Sequence, residues 1–146
     1  MLAQNKNLTF FLPKEEADPL QLLYFEAGIK AGFPSPAADF DGTKISLDEL
    51  VIKNKTTTFY AKASGNSMIN AGINDGDVLV IDKSLEPRDN KIAVCFIDGE
   101  FTVKRIKVAV DCIYLMPENP QYQPIKVTQD NDLIIWGIVT HVVKPL

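Results

Sequence analysis

Ile92-Ala93-Val94-Cys95-Phe96-Ile97-Asp98-Gly99-Glu100-Phe101-Thr102-Val103-Lys104-Arg105-Ile106-Lys107-Val108 reads as a β-hairpin. Two runs rich in branched and aromatic residues flank Asp-Gly, a dipeptide that accepts positive φ at both centres of a tight hairpin turn. Period-2 alternation sets Phe101, Val103, Arg105 and Lys107 on one face of the second strand, and Thr102, Lys104, Ile106 and Val108 on the other. Lys104 therefore shares its side with two branched apolar residues. Alternation alone leaves two readings open. Either Lys104 faces the core, where desolvation favours its neutral amine, or it snorkels at a strand edge while Phe101 and Val103 mark the buried side.

The same strand signature recurs at Thr58 to Ala63, Asp77 to Asp82, Cys112 to Met116 and Leu133 to Val143. Asp75-Gly76-Asp77, Glu86-Pro87-Arg88-Asp89-Asn90 and Glu118-Asn119-Pro120 separate these runs as turn signals. The chain thus reads as a mostly β domain of short strands from 44 to 146, preceded by an extended N-terminal arm, residues 1–43. Pro13, Pro19, Pro34 and Pro36, with Gly28, Gly32 and Gly42, punctuate the arm too often for a compact unit of its own. Leu20, Leu22, Leu23, Phe25 and Ile29 fit a short helix from Pro19 to Lys30, and a strand-like docked arm fits the same residues. Ser46-Leu47-Asp48-Glu49 has capping-box spacing and opens a brief helix to about Ile52.

Bulk properties narrow the function. A length of 146 residues fits one modest domain, and a net charge of −4 argues against a stable footprint on nucleic acid. Cys95 and Cys112 sit in apolar runs without CxxC spacing, so buried free thiols are expected rather than a metal site or disulfide. No run reaches the ~18 apolar residues of a membrane span, and the first residues lack a leader's apolar core. The expectation is a cytoplasmic protein with no membrane contact.

Chemistry points to Ala63-Ser64-Gly65-Asn66-Ser67-Met68-Ile69, just beyond the Thr58 to Ala63 strand. A turn there can expose the Ser67 hydroxyl and aim its own N–H at a developing oxyanion. Gly65 and Met68 flank it as candidate oxyanion or substrate-pocket residues. A serine hydroxyl needs a base, and a neutral lysine amine can serve. Lys104 is the candidate. The lone His141 alternates with branched residues in a late strand and reads as structural. Asp75 with Asp77, and Asp39 with Asp41, flank glycines and read as solvated or capping groups in turns.

Ser64-Gly65-Asn66-Ser67-Met68, Asp75-Gly76-Asp77 and Asp98-Gly99-Glu100-Phe101-Thr102-Val103-Lys104-Arg105 together resemble the self-cleaving Ser-Lys peptidases of the LexA/UmuD class. Ala31-Gly32-Phe33-Pro34-Ser35-Pro36-Ala37-Ala38-Asp39 resembles the cleavage segment of its UmuD branch, the accessory subunits of the translesion DNA polymerase V. Gly137-Ile138-Val139-Thr140-His141-Val142-Val143-Lys144 resembles the C-terminal strand of that branch. The likeness runs from about residue 24 to 146.

The resemblance implies a LexA/UmuD C-terminal-domain-like β fold in which Ser67 attacks the Ala31-Gly32 bond of the chain's own arm. Lys104 would be the general base, with no cofactor and no metal. It also implies a homodimer, stimulation by a RecA filament on single-stranded DNA, and a processed form that serves a Y-family DNA polymerase. Asn66 stands where an acidic residue is expected. The arm is too short and proline-rich for a repressor's helix-turn-helix domain. Two other functions remain: a non-cleaving binding module, such as a phage or plasmid antagonist docking on the polymerase or its accessory subunit, and a signal-peptidase-like enzyme, which would want a membrane anchor.

Overall fold

Asp98 and Gly99 both take positive φ, 48° and 86°, and join two antiparallel strands in the register Ile97↔Glu100 to Ile92↔Arg105. The structure, a computed structural model, describes residues 8–12, 20–24, 31–32 and 42–146. Its elements are β1 (Leu8–Phe11), β2 (Gln21–Tyr24), β3 (Thr43–Ser46), α1 (Leu47–Val51), β4 (Thr58–Ala63), β5 (Val78–Asp82), β6 (Ile92–Ile97), β7 (Glu100–Val108), β8 (Ile113–Met116), β9 (Ile125–Val127) and β10 (Leu133–Val143), with a 3-10 turn at Ile69–Ala71. The protein is mostly β, as its residue pattern implies.

Contacts divide the chain into a larger unit, Met1–Pro13 with Asn54–Leu146, and a smaller one, Lys14–Lys53. In the larger unit eight strands form one curled antiparallel sheet in the order β1-β4-β5-β10-β6-β7-β8-β9. In the smaller unit β2 pairs with β3, and Ser46 caps α1 by accepting a hydrogen bond from the Glu49 backbone N–H. Of the two readings of Pro19 to Lys30, Gln21–Tyr24 takes the strand-like one and not the helix; Pro19 and residues 25–30 lie outside the described residues. A run as short as Leu20 to Tyr24 carries no period of its own, and pairing with β3 decides its form.

Both faces of the central hairpin are buried. Val94, Phe101 and Val103 join a cluster that includes Leu8, Phe10, Phe59, Leu79 and Ile81, whereas Ala93, Cys95, Ile97 and Ile106 join Leu115 and Ile138 in a second. Aromatic rings fill the first: Phe101 lies 5.0 Å from Phe10 and 4.9 Å from Trp136, both edge-on. The long β10 carries the middle of the sheet, with register shifts between Ile135 and Gly137 and between Val139 and His141. At Gly137 the chain passes so close to β5 that a Cβ would stand 2.6 Å from Ile81 Cγ2.

Two buried carboxylates tie loops to β5. Asp82 accepts from Thr57 Oγ1 at 2.7 Å, Ser84 N at 2.8 Å, Ser84 Oγ at 2.7 Å and Asn54 Nδ2 at 3.2 Å. Asp77 accepts from Asn74 N at 2.8 Å and pairs with Lys144. Burial pushes both acids up, and these donors outweigh it, so both are held below the ordinary 3.8. Asp77 is therefore a buried ion-pair member rather than a solvated turn residue.

Two outcomes are expected. Gly137→Ala lowers unfolding stability by about 1–3 kcal/mol, because the added methyl forces the buried Ile81 side chain or the β10 backbone to shift; an unchanged urea midpoint would refute the close-packing account. The depressed carboxylates contribute stability that is full above pH 3.8 and lost as pH falls through their lower folded values. Urea midpoints measured down an acid series should fall there, and by less in Asp82→Asn.

Candidate active site

The Ser67 loop begins where β4 leaves the sheet. Ala63 N donates to Asp77 O and Gly76 N donates to Ala63 O, both at 2.8 Å, and Gly65 N donates to Asp75 Oδ1 at 2.8 Å. The φ of Gly65 is +90°, a conformation that side chains resist. On the other side of Ser67, Met68 is buried in the first apolar cluster, and its carbonyl accepts from Ala71 N and Ile73 N. An anchored methionine and a pinned glycine thus present a half-buried serine between them.

A second segment braces this loop. Glu118 N donates to Ser67 O at 2.8 Å, Asn70 N donates to Glu118 O at 2.9 Å, and Asn119 Nδ2 donates to Asn66 O at 2.8 Å. Glu118 is itself held by Arg105 Nε at 2.5 Å, and Arg105 Nη1 donates to Asn90 O at 2.6 Å. The brace therefore hangs from β7, the strand that also carries Lys104.

Lys104 reaches Ser67 from that strand. Its Nζ lies 3.1 Å from Ser67 Oγ, 2.7 Å from Thr102 Oγ1 and 3.1 Å from Val103 O. The residue is 7% exposed, and no carboxylate pairs with it among the described residues. Burial lowers its pKa from 10.5, while the charge of an ionised Cys95 would raise it. That opposition is weak at neutral pH, since burial pushes the Cys95 thiol up to about 12 and keeps it uncharged. A cation without an anionic partner in a dry site gives up its proton more readily.

Ser67 and Lys104 open onto a cleft of about 290 Å³ walled by Met68, Ile73, Thr102, Tyr122 and Ile125. Residues 23–140 match the Peptidase S24-like family. The chain belongs to this family. Across 115 residues it is 41% identical to Protein MucA of Salmonella typhimurium, covering 77% of each chain. Protein SamA of the same species is 36% identical over 133 residues, 91% of this chain and 92% of that one. LexA repressor of Stenotrophomonas maltophilia is 35% identical over 117 residues, 80% of this chain but 55% of the repressor. These relatives place the S24 chain in the UmuD class.

Within the S24 domain, the sequence-derived residues fall into two groups. Ser67, Lys104, Gly65 and Met68 come together at the cleft, though Gly65 has committed its N–H to Asp75. Ala31 and Gly32 lie at an exposed bend in the smaller unit, between β2 and β3. His141 is exposed on β10 opposite Val80, with Nδ1 3.0 Å from Thr140 Oγ1 and no bond to Ser67. Sequence reasoning missed Thr102 as a partner of Lys104, although the two-residue spacing put both on one strand face. It also missed the brace at Glu118 and Asn119, which had registered only as a turn. Among the described residues no group of acids, histidines and cysteines is arranged to hold a metal, and no helix is long and apolar enough to cross a membrane.

By NMR, the Lys104 Cε resonance should titrate below 10.5 in the folded protein and return toward that value when the chain is unfolded. A folded titration at or above 10.5 would refute the desolvated-amine reading.

Proposed function

We propose that this S24 chain is a self-cleaving serine endopeptidase that cuts its own Ala31–Gly32 bond with Ser67 as nucleophile and Lys104 as general base. The observation that carries the reading is the 3.1 Å approach of Lys104 Nζ to Ser67 Oγ with two further oxygens on the same nitrogen. A neutral amine has two N–H bonds and one lone pair. Thr102 Oγ1 and Val103 O take the two hydrogens, which leaves the lone pair for the Ser67 proton.

The steps then balance. Ser67 Oγ bonds to the Ala31 carbonyl carbon as its proton moves to Lys104, and the carbonyl oxygen becomes an oxyanion. Backbone N–H groups of Ser67 and Met68, which donate to nothing among the described residues, are the donors available to it. Collapse breaks the C–N bond, and the Lys104 proton leaves on the Gly32 amine. A water gives a proton to the Lys104 amine and attacks the acyl carbon; collapse breaks the ester C–O bond, returns that proton to Ser67 Oγ and leaves the Ala31 carboxylate. One water is consumed, and residues 32–146 are the product. Ala31 and Gly32 suit a narrow cleft because neither carries a bulky side chain.

The biological reading rests on the UmuD-class likeness. The chain is a cytoplasmic homodimer of the SOS response to DNA damage, its arm of residues 1–43 carrying the scissile bond. A RecA filament on single-stranded DNA promotes scission, and the product serves as accessory subunit to a Y-family translesion polymerase. The acidic net charge leaves DNA contact to these partners.

Incubation without RecA should give fragments 1–31 and 32–146 by intact mass, faster as pH rises toward a plateau below the ordinary lysine value of 10.5. Ser67→Ala should give none, and Lys104→Met should slow scission by about 10²–10⁴-fold. Scission that persists in Ser67→Ala, or that is flat from neutral to alkaline pH, would overturn the assignment.

A further inference from the structure

The first strand lies upstream of the family match, which begins at residue 23, and it is built into the sheet core. Among the described residues strand β1 pairs only with β4, in the register Leu8↔Ala63 to Phe11↔Tyr60. Leu8 is 2% exposed and Phe10 7%. The Phe10 ring lies 5.7 Å from Phe59, 5.0 Å from Phe101 and 5.7 Å from Trp136. On β4 the opposing positions are Ala61 and Ala63, so the strand offers a recess shaped for two large apolar side chains two residues apart.

The covalent link that keeps β1 beside β4 runs through Ala31–Gly32. Intact, it makes the pairing of β1 with β4 intramolecular, an advantage that a separate four-residue strand lacks. The only other pairing of that fragment among the described residues is β2 with β3, a two-stranded ribbon in which all four β2 residues are exposed. Scission falls between those two strands and severs the tether.

We propose that β1 is an exchangeable edge strand: once the tether is cut, it leaves, and the bared edge of β4 with its aromatic recess takes an extended apolar segment of a partner protein. This rests on the cleavage reading above. The occupant's chemistry is read from β1 itself, Leu8-Thr9-Phe10, large apolar groups at alternate positions in an antiparallel strand. A second copy fits worse, because β4 against β4 would set Ala61 and Ala63 against their equivalents and leave the recess unfilled. An uncovered apolar edge is a surface that folded proteins do not leave open.

The test uses full-length chains and a labelled synthetic peptide of residues 1–13 as probe. It compares Ser67→Ala, the same chain with Leu8→Asp and Phe10→Asp to undock β1, and wild type after scission verified by intact mass. The peptide should bind the undocked and cut chains at least about tenfold more tightly than the Ser67→Ala parent, whose own β1 competes, and binding should change Trp136 fluorescence. Equal binding to all three, binding to none, or a mass without peptide that is twice that of the Ser67→Ala parent would overturn the proposal, the last assigning the edge to a second copy. Capture by the undocked chain with no scission in the wild type would uphold the exchangeable edge and sink the cleavage reading. Scission with no capture would do the reverse. If the undocked variant loses its fold, hydrogen exchange in the cut wild type decides: β4 amides facing β1 should lose protection about tenfold or more while β10 stays protected, and unchanged protection would overturn the proposal.

Discussion

A lysine nitrogen buried beside a serine, with oxygen atoms but no carboxylate around it, is the constraint on which the rest of the site depends. Removing an ammonium from water costs several kcal/mol unless an anion or proton loss offsets it. Here Ser67, Thr102 and the Val103 carbonyl supply dipoles without charge. Cys95 stays neutral because its own burial disfavours the thiolate. The balance tilts toward the free amine, the species that the proposed reaction requires.

Holding that amine in place falls to one strand. Lys104 and Arg105 are neighbours on β7 and point to opposite faces, one to the serine and the other to Glu118, whose backbone receives and supports the serine loop. Lysine and brace are therefore carried by one strand, and Asp75 fixes the loop from the side of β4. The sheet beneath is tightened where Gly137 lets β10 approach β5. Positioning of this kind matters because a proton transfer over about 3 Å fails when either partner drifts by an ångström.

The described residues before Ala31 are not ornament on this scaffold. Leu8 and Phe10 complete the aromatic cluster that packs beneath β7, so the larger unit takes part of its core from the far side of the bond proposed to be cut. Chain connectivity and core packing are thereby coupled. In the proposed reading, one hydrolysis changes both the covalent length of the protein and the edge its sheet presents.

The residue pattern by itself determined the hairpin, its Asp98-Gly99 turn, the capped helix after Ser46 and the strands at Thr58, Ile92, Glu100 and Leu133, because each carries its period or turn chemistry locally. It also singled out Ser67 and Lys104. Tertiary structure alone decided that Leu8–Phe11, Gln21–Tyr24, Thr43–Ser46 and Ile125–Val127 are strands, since pieces of three or four residues have no period and take their form from the neighbour that pairs with them. It decided, too, which side of β7 is buried: both are, because the sheet curls and packs an apolar cluster on each face. Thr102 was within reach of the strand's own period, whereas Glu118 and Asn119 became part of the site only when segments distant in sequence met, a proximity that no local pattern encodes.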